Sequence, residues 1–176
     1  MLNIPRAGAG ARIGSWLADV AGSAGDLFLP SVTIDTEDLI NYGEIASKYF
    51  AGQIDDISVL YPYSGTDGTP REVFPNTKFV EADSRKVRAL RRAGFDVDLI
   101  DNPLHYNGTQ RPHLVLAHHS PVDLLTLSLA LPPIQGGYLL GSNSYSASDI
   151  LAQRNSSFTR VDYFVRRDGR EYQLFR

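Results

Sequence analysis

The 176-residue sequence contains no cysteine, one methionine and one tryptophan. Without a thiol there is no disulfide, no thiolate nucleophile and no cysteine-ligated metal site. No apolar run reaches about 18 residues, so no segment reads as a membrane-spanning helix. Neither sign of charge dominates. Lys and Arg number 17 against 20 Asp and Glu, a net charge of −3. Bulk charge of that size does not draw a chain to nucleic acid or to an anionic bilayer. What is present is apolar material: 43% hydrophobic and 10% aromatic residues. That is enough for one packed core and excludes the disordered class. The length fits a single domain of roughly 100–200 residues.

Residues 1–34 are rich in Gly and Ala and read as a loose arm with one short helix near Ile13–Val20. Arg12 and Asp19 break its apolar character, so it is not read as a signal peptide. The cytoplasm is the expected location. From residue 35 the pattern sharpens. Leu39, Tyr42, Ala46, Tyr49 and Phe50 recur at helical spacing, with Asp35 or Thr36 as cap and Gly52 past the end.

A strand–crossover rhythm follows. The strands expected are 57–61, 78–81, 95–100, 114–117 and 137–141. Between the first two lies a turn-rich loop, 62–68, with room for only one or two helical turns at 70–74. A helix is expected over 84–93, with Val87 and Leu90 inward and Gly94 ending it. Ser120, Pro121 and Asp123 form a helix start, and Pro132-Pro133 a stop. A short helix is placed at 148–153. Alternation at Val161, Tyr163, Val165 and again at Tyr172, Leu174, around Asp168-Gly169, predicts a terminal hairpin. Strands separated by helices imply parallel neighbours. The fold class is therefore α/β: a three-layer, Rossmann-like sandwich over 35–176, mostly parallel, with an antiparallel hairpin at its C-terminal end.

That order of elements resembles the class I S-adenosylmethionine-dependent methyltransferases. The resemblance covers roughly residues 35–176. It implies a nucleoside cofactor, S-adenosylmethionine, held at the carboxyl ends of the strands. By position, the loop Tyr61-Pro62-Tyr63-Ser64-Gly65-Thr66-Asp67-Gly68 would approach the methionine part, through Tyr61, Ser64, Gly65, Thr66 and Asp67. The family loop starts with an acid and has three spaced glycines. Here Tyr61 stands near the acid's place, and only Gly65 and Gly68 supply glycine. Glu81, ending the second strand, stands where the family's acid binds the ribose hydroxyls. Asp101 and Asn102, after the third strand, would meet the adenine. Asn102-Pro103-Leu104 is also similar to the Asn-Pro-Pro-Tyr motif of amino-group methyltransferases. That motif follows the fourth strand, so an Asn-Pro turn is the plainer reading.

All four histidines fall between 105 and 119. His118 and His119, after the fourth strand, are candidates for a general base facing the substrate. Adjacent strand residues point to opposite sides, so no metal site is expected from them. The 84–93 helix carries Arg85, Lys86, Arg88, Arg91 and Arg92. These read either as a phosphate- or RNA-facing surface or as the solvated face of a crossover helix, and the latter is the plainer. Two functions follow. One is methyl transfer to an unknown substrate. The other is a non-catalytic methyltransferase-like module that binds or scaffolds a protein partner. An open polar cleft favours the enzyme. A cleft filled by Tyr61, Tyr63 or the arm favours the module.

Overall fold

A computed structural model describes residues 36–51, 53–117, 124–143, 157–167, 169 and 171–176. The arm 1–34, Asp35, Gly52, His118, His119, the Ser120–Asp123 helix start, the helix expected at 148–153 and Asp168 lie outside the described residues.

Helix α1, Thr36–Tyr49, opens the fold. Its Leu39, Tyr42, Ile45 and Ala46 are buried, so one face of the helix packs on the sheet. The elements that follow are β1 (Val59–Pro62), the four-residue α2 (Pro70–Val73), β2 (Thr77–Glu81), α3 (Ser84–Arg92) and β3 (Val97–Leu99). A 3-10 turn over Pro103–His105 leads to β4 (Leu114–Ala117), α4 (Leu124–Ala130), β5 (Tyr138–Asn143), β6 (Arg160–Val165) and β7 (Glu171–Phe175).

The seven strands form one sheet in the order β3-β2-β1-β4-β5-β7-β6. β3, β2, β1, β4 and β5 pair in parallel. β7 runs antiparallel to both β5 and β6. The central strands β1 and β4 are buried along their whole length, as expected where helices cover both faces.

Alternate strand residues feed two separate cores. Val59, Tyr61, Phe79, Leu114, Leu116, Leu140, Tyr172 and Leu174 pack with α1 and α3. Leu60, Val80, Val115, Ala117, Leu139 and Phe175 pack with α4. The period of two thus builds helices onto both faces, which is the three-layer arrangement.

Strand ends of β1, β2, β3 and β5 differ by one or two residues from the sequence expectation, and two of these shifts have a hydrogen-bonding reason. β3 begins at Val97 because the Phe95 N–H is spent on the Leu90 carbonyl, closing the end of α3. Gly94 makes that closure with a left-handed φ of 86°. β5 continues to Asn143 because β7 supplies partners that far, Asn143 opposite Glu171.

The C-terminal hairpin is tied to the start of α1. The guanidinium of Arg166 and the hydroxyl of Tyr172 both donate to Asp38 Oδ1, and Arg167 N–H donates to Glu37 at 2.8 Å. The Asp38 and Arg166 side chains are 4% and 3% exposed. Burial first, and then the bond to Asp38, raises the Tyr172 phenol's pKa. A pair sunk this deep costs desolvation, so its net stabilisation is small; what it adds is position. It fixes the first turn of α1 at the end of β6. At the other end of α1, Lys48 and Tyr49 both donate to Asp162 of β6, each at 2.5 Å.

Candidate nucleoside site at the carboxyl ends of the strands

In an open parallel sheet, ligands sit beyond the carboxyl ends of the strands, where the order reverses. Here the reversal lies between β1 and β4. The loop after β1 and the corner after β2 form this edge.

Glu81 ends β2 and is only 5% exposed. Its carboxylate is caged by backbone. Gly65 N–H donates to Oε2 at 2.7 Å, and the Ala82 and Asp83 N–H groups donate to Oε1 at 2.8 and 3.1 Å. The acid therefore ties the first loop to the start of α3. Among the described residues Oε2 accepts one hydrogen bond, which leaves acceptor capacity on that oxygen. Next in the chain, Asp83 caps α3 by accepting from Arg85 N–H at 2.9 Å. The Arg85 side chain, then that backbone bond, lowers the Asp83 carboxyl's pKa.

The first loop is built differently. Tyr61 is 1% exposed and packs against Phe79, ring centroids 6.0 Å apart. Its hydroxyl donates to Asp67 Oδ2 at 3.0 Å, and Thr69 N–H donates to Oδ1 at 3.0 Å. Burial first, and then the Asp67 charge, pushes the Tyr61 phenol's pKa well up, so it stays a donor at neutral pH. Two of the residues expected at the methionine part thus face one another. Gly65 turns the loop with φ 62°, and Thr66 is half-buried beside it. The hydroxyl of Ser64, in a residue 3% exposed, has no hydrogen-bond partner among the described residues.

Tyr63 is the residue that sequence reasoning passed over as a site member. It has φ 56°, the one left-handed non-glycine backbone among the described residues. For a side chain of this size that backbone costs about 1–2 kcal/mol. Its hydroxyl donates to Asn102 Oδ1 at 3.2 Å, bridging from the first loop to the segment after β3. Burial, and then the nearby Glu81 charge, raises the Tyr63 phenol's pKa. Asn102 Oδ1 also accepts from Leu104 N–H at 3.1 Å, capping the 3-10 turn. Asp101 is exposed. The signal for Tyr63 lay in the loop itself, a bulky aromatic in a stretch where the resembling family places glycine.

Among the described residues no three His, Asp or Glu side chains stand together as a metal site. No helix among them is long and apolar enough to cross a membrane.

The strand order, with five parallel strands and a reversed β7 inserted between β5 and β6, is that of the class I methyltransferases, and the chain has that Rossmann-like fold. Solved methyltransferase structures superpose on it. A putative RNA methyltransferase from Pyrococcus horikoshii matches with a TM-score of 0.59 at 14% identity, over 85% of this chain and 87% of its own. An N-methyltransferase from Bradyrhizobium japonicum gives 0.55 at 13%, over 80% and 92%. A putative methyltransferase from Pseudomonas syringae gives 0.54 at 16%, over 68% and 86%. Identities this low carry the fold alone. No protein-family model matches the chain, and no curated protein matches it in sequence.

S-adenosylmethionine fits one part of this edge and not the other. A buried acid with a spare lone pair suits ribose hydroxyls at Glu81. The adenine side does not suit it in this conformation, because the Tyr63 phenol lies against Asn102.

Proposed function

We propose that the chain is a non-catalytic module on the methyltransferase fold, with its nucleoside corner closed by Tyr63, and that it serves by binding or scaffolding a protein partner. The observation that supports this most directly is the Tyr63–Asn102 hydrogen bond beside Glu81. Tyr61 and Asp67 support it further, since the Tyr61 hydroxyl spends its proton on Asp67 within the loop. In this reading residues 35–176 act as one domain, with the arm 1–34 as an appendage.

A second reading, a methyltransferase that binds S-adenosylmethionine and passes its methyl group to a substrate, is favoured by Glu81. Its buried carboxylate keeps acceptor capacity on Oε2 beyond the bond from Gly65, which suits ribose hydroxyls. In that reading Ser64, Gly65 and Thr66 face the methionine part and Tyr63 swings off Asn102.

Titration calorimetry with S-adenosylmethionine and S-adenosylhomocysteine separates the two. The first reading expects no heat up to millimolar ligand. Micromolar binding that disappears in Glu81→Ala overturns it in favour of the second.

A further inference from the structure

Helix α3 has an outer face that neither reading uses. Its nine residues hold Arg85, Lys86, Arg88, Arg91 and Arg92 and no acid. The rest of the chain therefore holds 12 of the 17 cations and all 20 acids. The chain is acidic overall and carries one concentrated basic element beside β3, an edge strand of the sheet.

Packing and charge are cleanly divided on this helix. Val87, Ala89 and Leu90 are buried against the sheet, and Arg85, Arg88, Arg91 and Arg92 are exposed. Two of the four are held in place. Arg85 pairs with Asp83 at 3.1 Å, and Arg91 donates to the Val97 carbonyl at 3.0 Å. Arg88 and Arg92, one helical turn apart, have no hydrogen bond or ion pair among the described residues. Arg71 of α2 joins the patch. It donates to the Gly94 carbonyl at 2.9 Å and lies 5.4 Å from the centroid of the Phe95 ring, so its guanidinium is fixed next to the end of α3.

Like charges four residues apart repel, and the helix itself holds no acid to relieve Arg88 and Arg92. The last two arginines suit a helix C-terminus, but Arg88 lies a turn before it and Arg71 is on another element. A row of guanidinium groups, with only one lysine, matches phosphate oxygens geometrically, since each fork makes two parallel bonds. No exposed apolar residue of α3 is available to enter a bilayer, which a membrane-surface helix needs.

We infer that the outer face of α3, extended by Arg71, is a docking surface for the phosphate backbone of a nucleic acid. It stands apart from the closed nucleoside corner and does not depend on how that corner is read.

The test is fluorescence anisotropy of the full chain with a labelled RNA oligonucleotide and, in parallel, a DNA duplex. The comparison is with the double variant Arg88→Glu/Arg92→Glu, with the single variant Arg92→Glu and, as a charge change equal to the single variant's on another surface, with Arg111→Glu. Both arginines of the double variant are exposed, and circular dichroism checks that it folds. With about three phosphates contacted on the duplex, affinity falls about 40-fold between roughly 50 and 200 mM salt. The double variant loses at least tenfold in affinity and flattens that salt slope, and Arg111→Glu does neither. Capture of one nucleic acid and not the other in this pattern supports the surface and identifies its ligand. No binding of either, equal weakening by Arg92→Glu and Arg111→Glu, or capture only by phosphatidylserine vesicles overturns it.

Discussion

The corner after β2 and the loop after β1 face the same ligand edge and have the same kinds of side chain, carboxylates and hydroxyls. They use them to opposite ends. At the corner, a single carboxylate, Glu81, is held by three backbone N–H groups and keeps a lone pair for something outside. In the loop, Asp67 is claimed by the Tyr61 hydroxyl and the Thr69 N–H, and Tyr63 reaches across to Asn102. Backbone donors alone fix Glu81, whereas on Asp67 a tyrosine hydroxyl joins a backbone donor and a second tyrosine spans from the loop to Asn102. On the proposed reading, this is how a fold keeps an acid at this edge while the loop beside it closes.

Removing the acid breaks the comparison most severely. Glu81→Ala leaves three N–H groups at a buried spot without their acceptor, and we expect a loss of about 2–4 kcal/mol in urea unfolding. Glu81→Gln loses less, because its carbonyl still serves Ala82 and Asp83 and only the Gly65 N–H is left without an acceptor. Tyr61→Phe strips one donor from Asp67 and costs about 1–2 kcal/mol by the same measurement. It frees that carboxylate, making the loop more like the corner. Tyr63→Gly is expected to shift stability by no more than about 1 kcal/mol, since relief of the left-handed backbone offsets the lost contact.

The smallest effect belongs to Asp83, whose Arg85 partner is well exposed. Asp83→Asn keeps a helix cap and loses an ion pair, about 0.5 kcal/mol at neutral pH. Its pKa in the folded chain is lowered from 3.8, so the contribution is present above that value and is lost as pH falls through the folded pKa. The acid limb of a stability–pH curve is therefore shallower for Asp83→Asn than for the unaltered chain.

Most of the architecture was legible in the sequence because it rests on period and punctuation. Val87 and Leu90 faced inward as their spacing said, Gly94 ended α3, and the 161–165 and 172–174 alternations became β6 and β7. Strand ends were less legible, as Phe95 shows: one residue's N–H has two possible partners, and only the closed helix end decides between them. The position of Glu81 was readable from element order. The Tyr63–Asn102 and Tyr61–Asp67 pairs were not, because 39 residues separate the first pair and a side-chain direction sets the second. The tie from Asp38 to Arg166 spans 128 residues and left no local sign in either segment.

The central claim is that Tyr63 closes a corner that Glu81 still equips. Titration calorimetry of Tyr63→Gly with S-adenosylhomocysteine, beside Tyr63→Gly/Glu81→Ala, tests it most directly. The account predicts binding in the single variant, none in the unaltered chain, and loss again when Glu81 is removed. Equal absence of heat in all three, with Tyr63→Gly folded, contradicts it.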